Sequence, residues 1–223
     1  LAIMLCFSAG FINAAGFLAF QVLTTNVTGH AALLAVHTAR GELRAAAVAA
    51  IWLLLFLSGA FFSGVIIRMA MRSLSSAYTL PLLVIIAIMV TIAAGGAAIS
   101  TWPHARAYLT GALLLAMGMQ NALVTMVSGA MVRTTHLTGM FTDLGIDLSA
   151  IATRNATQEV YKRVVLRLTI IGFFLLGGLA GGFLQLHWHF AAFYVPVTVM
   201  LTALFYDRFR VAIKRLLRKA SIV

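Results

Sequence analysis

The sequence predicts an all-α, polytopic membrane protein of six transmembrane helices, folded as two inverted three-helix repeats that each carry a re-entrant half-helix. Three observations predict it. Of 223 residues, 62% are hydrophobic and 9% are charged, against an apolar share of roughly 45–50% in soluble domains. Six runs approach the about 20 apolar residues that cross a bilayer, and a polar motif in the first half returns in the second. This composition excludes a soluble globular domain and a disordered chain. The basic residues are not clustered over a polar surface, so the net charge of +11 is no nucleic-acid signature.

The runs are Leu1–Phe20, Ala45–Ile67, Tyr78–Ala98, Tyr108–Val127, Leu168–Leu186 and Phe190–Tyr206. The first lacks a basic flank and is too long for a signal-peptide core, so it is expected to be a retained span. The last is short and carries Pro196, which predicts a kink. Basic residues stay on the cytoplasmic side. The tail after Tyr206 holds six of them, and counting outward from it places thirteen Lys and Arg inside against Arg40, Arg44 and Arg106 outside. Both ends are therefore expected in the cytoplasm. The organisation read from this is one membrane domain over 1–223, with a first repeat at 1–100, a second at 101–206 and a basic tail at 207–223. In the tail, Val211, Leu216 and Leu217 alternate with Arg and Lys, which suits an amphipathic helix along the inner leaflet. Cys6 is the only cysteine and can form no intrachain disulfide.

The chain repeats itself. Thr24-Thr25-Asn26-Val27-Thr28-Gly29-His30 returns as Thr134-Thr135-His136-Leu137-Thr138-Gly139-Met140 at an offset of 110, with four of seven positions identical. Upstream, Gly10 and Asn13 return as Gly118 and Asn121 at offset 108; downstream, Leu57-Ser58-Gly59 returns as Leu176-Gly177-Gly178 at offset 119. Three spans per half is an odd number, so the second half enters the membrane from the opposite side. That is the plan of many secondary transporters, whose sites lie near mid-membrane.

Between Val22 and Arg40, and again between Ser128 and Ile151, the chain is neither a full span nor a plain loop. From Thr28 to Thr38 is about 16 Å of helix, roughly half the hydrocarbon thickness. Thr28 and Thr138 are expected to act as N-caps, with Gly29 and Gly139 allowing close approach in the first turn. The uncoiled Thr-Thr stretch before each would need partners at membrane depth. Two half-helix N-termini would then aim their positive ends at one point. The alternative is that both motifs are turns outside the membrane.

The paired motifs, the length and the six-span plan resemble the YoaK family of bacterial inner-membrane proteins, also known as a domain of unknown function. The resemblance runs over nearly the whole chain. It is carried by Gly10-Phe11-Ile12-Asn13 and Asn26-Val27-Thr28-Gly29-His30, then by Gly118-Met119-Gln120-Asn121, Arg133-Thr134-Thr135-His136-Leu137-Thr138-Gly139 and Thr142-Asp143-Leu144-Gly145. The family's first motif usually ends Thr-Gly-Asn, where this chain has His30. The resemblance implies the bacterial inner membrane as location and supplies no substrate.

The residues themselves assign a site. Asn13, Thr24, Thr25, Asn26, Thr28, Gly29 and His30 with Asn121, Thr134, Thr135, His136, Thr138 and Gly139 are expected to form a central solute site. Asn13 and Asn121 could equally be amide glue between helices. Asp143 and Asp147, four apart and so on one helix face, are two of only five acids. They are candidates for proton or cation coupling, with Arg133 or His136 as partners; outside the membrane they would only offset Lys162 or Arg163. Gly177, Gly178, Gly181 and Gly182, and Gly59 with Ser63, place small residues four apart. They predict close packing within the monomer, between the halves or across a homodimer. No Gly-x-Ser-x-Gly, His-Glu-x-x-His or Walker pattern is present, and no spacing suits a metal. The expectation is no enzyme, no metal and no cofactor, but a transporter or channel for a small polar or anionic solute, with the lipid bilayer as partner. The alternative is a non-transporting scaffold that binds lipid or protein.

Overall fold

The computed structural model describes residues 2–70, 78–127 and 137–206. They form α1 (Ala2–Phe20), α2 (Val27–Ala39), α3 (Leu43–Met69), α4 (Thr79–Ile99), α5 (Ala105–Val127), α6 (Leu137–Ala152) and α7 (Gln158–Trp188). A 3-10 turn (His189–Phe193) and a short α8 over 194–206 follow. Among the described residues there is no strand. The basic tail 207–223 lies outside the described residues.

Among the described residues, five helical runs are long and apolar enough to cross a membrane: Ala2–Phe20, Leu43–Met69, Thr79–Ile99, Ala105–Met126 and Gln158–Tyr206. The fifth takes in both of the last two predicted spans. It is not straight, because Thr198, Val199 and Thr202 of α8 share a crevice with Phe173 of α7. Phe173 stands about 22 Å before the end of α7, so the chain must double back. The reversal is made in the 3-10 turn, where His189 has φ 49, a left-handed conformation uncommon outside glycine. Pro196 is therefore no mid-helix kink. It sits in the first turn of α8, where its missing N–H leaves no bond unmade. At the other end, α7 starts well before the expected Leu168, because Gln158–Arg167 continues the helix as a polar extension. Lys162 and Glu159 pair there at 2.8 Å.

The two principal interfaces are α1 along α7 and α3 along α5, and both close on glycine. A Cβ added at Gly10 would lie 1.9 Å from the Phe174 carbonyl oxygen, and one at Gly177 would lie 2.0 Å from that of Phe7. In the other pair, a Cβ at Gly118 would lie 2.1 Å from the Phe56 oxygen and one at Gly59 2.1 Å from that of Leu115. These are the same contacts made twice. Gly10 and Phe7 correspond to Gly118 and Leu115 at offset 108, and Phe56 and Gly59 to Phe174 and Gly177 at offset 118. The sequence match of Gly59 to Gly178 is thus one residue out; packing pairs Gly59 with Gly177. These small-residue faces are taken up inside the chain.

Helix directions follow from the same contacts. Trp52, Leu55 and Gly59 meet Ala107, Gly111 and Leu115 in turn, so α3 and α5 run parallel. Phe7 and Phe11 meet Gly177 and Gly181, so α1 and α7 do too. Between α1 and α5, the Gln120 amide donates to the Leu5 carbonyl at 2.7 Å, while Gly16 faces Leu113. The leading helices of the two halves therefore run in opposite directions. Leu5, Phe11, Leu82, Met89, Leu113 and Met117 form part of the buried core, whereas Leu54, Leu57 and Phe61 of α3 and Leu175, Leu179 and Phe183 of α7 are exposed. Such apolar stripes suit hydrocarbon and not water.

Candidate functional site: a cavity shared by the two Thr-Gly motifs

After α1 the chain uncoils through Leu23–Asn26 and restarts as α2 at Val27. The uncoiled backbone is held from both sides. The Asn13 side-chain oxygen accepts the Thr25 N–H at 3.1 Å, and His30 Nε2 donates to the Leu23 carbonyl at 2.8 Å. Asn13 therefore gives a backbone amide outside regular helix the partner that it needs.

The N-cap of α2 is Asn26 and not Thr28: its side-chain oxygen accepts the Gly29 N–H at 2.9 Å. Asn caps at least as well as Thr, and from position 26 it starts the helix earlier. Thr28 becomes a first-turn residue. Thr138 is likewise no cap, since α6 already begins at Leu137; its carbonyl accepts the Thr142 hydroxyl at 3.0 Å. Gly29 is required by the cap, because a Cβ there would lie 2.7 Å from the Asn26 amide nitrogen. Gly29→Ala is expected to displace the cap and cost about 1 kcal/mol, read as a lowered unfolding temperature that Asn26→Ala does not lower further.

The start of α2 opens on a cavity of about 810 Å³. The first motif contributes Thr25, Asn26, Thr28 and Gly29; α5 contributes Asn121, Thr125 and Met126; α3 contributes Phe56 and Ala60; and the start of α6 contributes Leu137 and Thr138. Phe56 is the middle residue of α3 and Ala60 lies about one turn beyond it, and Asn121 is the repeat counterpart of Asn13. Its side-chain oxygen is buried with no hydrogen-bond partner among the described residues. Thr125 was not expected in the site, although its place four residues after Asn121 puts both on one helical face. Its hydroxyl donates to the Asn121 carbonyl at 2.7 Å.

Other expected residues are placed elsewhere. Thr24 is fully buried against Gly16. His30 is 3% exposed, edge-on to Trp52 at 5.5 Å between ring centroids, and braces the uncoiled segment from behind. Gly139 lies in the first turn of α6 and is not part of the lining. Thr134, Thr135 and His136, with Arg133, lie outside the described residues.

Asp143 and Asp147 face α7 and not the cavity. Arg163 pairs with Asp147 at 3.0 Å, Arg167 pairs with Asp143 at 3.2 Å and with Asp147, and Arg167 also donates to the Asp143 carbonyl at 3.2 Å. The Asp147 side chain is only 7% exposed. The expected partners Arg133 and His136 are not needed to satisfy these acids. The network ties α6 to α7, and among the described residues that line the cavity none is Asp, Glu, Lys or Arg. Among the described residues no three His, Cys, Asp or Glu are grouped to hold a metal.

The described lining can therefore offer hydroxyls, amides and helix N–H groups, with no formal charge. No curated protein and no solved structure matches the chain. One family model does match, over residues 1–206, a stretch that contains both motifs and every residue of the cavity; the chain belongs to the family described as "Protein of unknown function (DUF1275)".

Proposed function

We propose that the protein moves a small polar or anionic solute across the membrane by way of this cavity, in a six-span fold of two inverted repeats with both ends in the cytoplasm. The observation that carries the reading is that the first turns of α2 and α6 open on one cavity that no ionisable side chain lines among the described residues. Each helix start bears the equivalent of roughly half a positive charge, and Thr28, Thr138 and Asn121 add neutral donors. Asp143 and Asp147, drawn away by Arg163 and Arg167, do not oppose an anion. The twice-made glycine contacts and the antiparallel α1 and α5 support the inverted repeat. The placement of Phe56 and Ala60 at mid-α3 supports a site at mid-depth.

The test is uptake into proteoliposomes from a panel of small anions and neutral polar solutes. Thr28→Val and Thr138→Val, which keep side-chain shape and remove a hydroxyl, are each expected to lower uptake of the transported solute at least tenfold, since a buried polar contact is worth about 1.5 kcal/mol or more. Uptake unchanged in both sinks the site, and no flux for any solute favours the scaffold. The pairing of Asp143 also predicts that Asp143→Asn leaves any dependence on a pH gradient in place. Loss of that dependence would assign proton coupling to this acid.

A further inference from the structure

A second groove, apolar and about 390 Å³, runs between α3 and α5. Its walls include Val48, Trp52 and Leu55 of α3 and Gly111 and Ala112 of α5, with His104 at the end where α5 begins. The Trp52 ring is held in place by its N–H, which donates to the Ala107 carbonyl at 3.3 Å.

The internal repeat shows that this groove is more than a by-product of helix crossing. The offsets of 108 and 118 carry Gly111, Ala112 and Leu55 onto Ile3, Met4 and Phe173, and those three residues line the equivalent crevice between α1 and α7. There the larger side chains fill the floor and α8 closes the side with Thr198 and Thr202. Between α3 and α5 the floor is reduced to glycine and alanine, and no α4 residue covers it. The fold repeats here, but the filling does not.

One end of the groove is cationic. Arg44 precedes Val48 by four residues, Trp52 by eight and Leu55 by eleven, so it stands on the groove-lining face of α3 at its open end. It is exposed and makes no ion pair among the described residues. The acid near this end, Glu42, is held by His37 at 2.5 Å. An apolar trough headed by an uncompensated arginine and a histidine is complementary to one amphiphile.

We propose that this groove binds an anionic phospholipid, with an acyl chain lying over Gly111 and Ala112 against Trp52 and the phosphate beside Arg44 and His104. The test uses the full chain with Trp102→Phe and Trp188→Phe, which leaves Trp52 as the only tryptophan of the three. It is reconstituted in phosphatidylcholine vesicles that carry a minor fraction of lipid with brominated acyl chains. Brominated phosphatidylglycerol is expected to quench Trp52 with roughly fivefold preference over brominated phosphatidylcholine at equal fraction, the factor one arginine beside an anionic headgroup supplies. Arg44→Gln should bring the two lipids to parity, and Ala112→Leu should abolish the preference by filling the floor. Trp52 emission in unbrominated lipid checks that each variant is folded. Equal quenching by both lipids in the parent protein overturns the proposal. So does a preference that survives Arg44→Gln, and so does Trp52 shielded from both lipids, the result a second copy seated on the groove would give.

Discussion

Gly118→Ala is expected to destabilise the protein by about 3 kcal/mol or more, the upper part of the range for overpacking. The added Cβ would lie 2.1 Å from the Phe56 carbonyl oxygen and 2.9 Å from its carbon. Backbone cannot rotate away as a side chain can. The helices must part, and parting them at Gly118 also lifts Gly59 off Leu115 along the same interface. Gly10→Ala should behave alike, since the Phe174 oxygen stands at 1.9 Å from its Cβ position. Gly145→Ala and Gly172→Ala are the controls. Nothing described lies within 4 Å of a Cβ at either, so helix propensity should leave them neutral or better by up to about 1 kcal/mol. Thermal unfolding in detergent ranks the four variants, and equal midpoints would contradict the packing.

Removing Arg167 is expected to cost about 3–5 kcal/mol, the usual penalty for stranding one partner of a buried ion pair. Arg167 holds both acids of α6, and its own side chain is 17% exposed. Without it Asp147 keeps only Arg163, whose side chain is 49% exposed and whose pull water weakens. Arg163→Ala should therefore cost much less than Arg167→Ala. Because a buried pair can often be exchanged for apolar residues of similar size, Asp147→Leu combined with Arg167→Met should recover most of the loss. The midpoints of the two single variants and the double variant decide it. A double variant as weak as Arg167→Ala would contradict the assignment of the loss to a stranded charge.

Much of the arrangement was legible because it is written in local patterns. Apolar runs marked the long helices, the Gly10–Asn13 and Gly118–Asn121 copies marked equivalent helices, and the Thr-Gly motifs marked two short helix starts. What failed depended on register or distance. Thr25, Asn26 and Thr28 are all polar, and both Asn and Thr cap helices, so the pattern could not say which residue begins α2. Tandem glycines at 177 and 178 are indistinguishable until Phe7 selects one. Thr24 and His30 belong to the motif, yet Thr24 in the uncoiled segment and His30 on the inner face of α2 both point into packing. Arg163 and Arg167 reach Asp143 and Asp147 from the next helix, and periodicity within α6 carries no trace of it. The reversal at 189–193 contains neither Gly nor Pro, so nothing in its composition announced the left-handed His189.

The central claim is that Thr28 and Thr138, from opposite halves of the chain, face one cavity. Thr28→Cys and Thr138→Cys, combined with Cys6→Ala and a protease site between α4 and α5, test it by cross-linking with a bifunctional thiol reagent small enough to enter the cavity. The account predicts that the two fragments stay joined after proteolysis in the double-cysteine protein and separate in either single-cysteine protein. If the motifs were turns on opposite membrane surfaces, about 30 Å of hydrocarbon would lie between them, and fragments that separate in the double-cysteine protein as well would contradict the account.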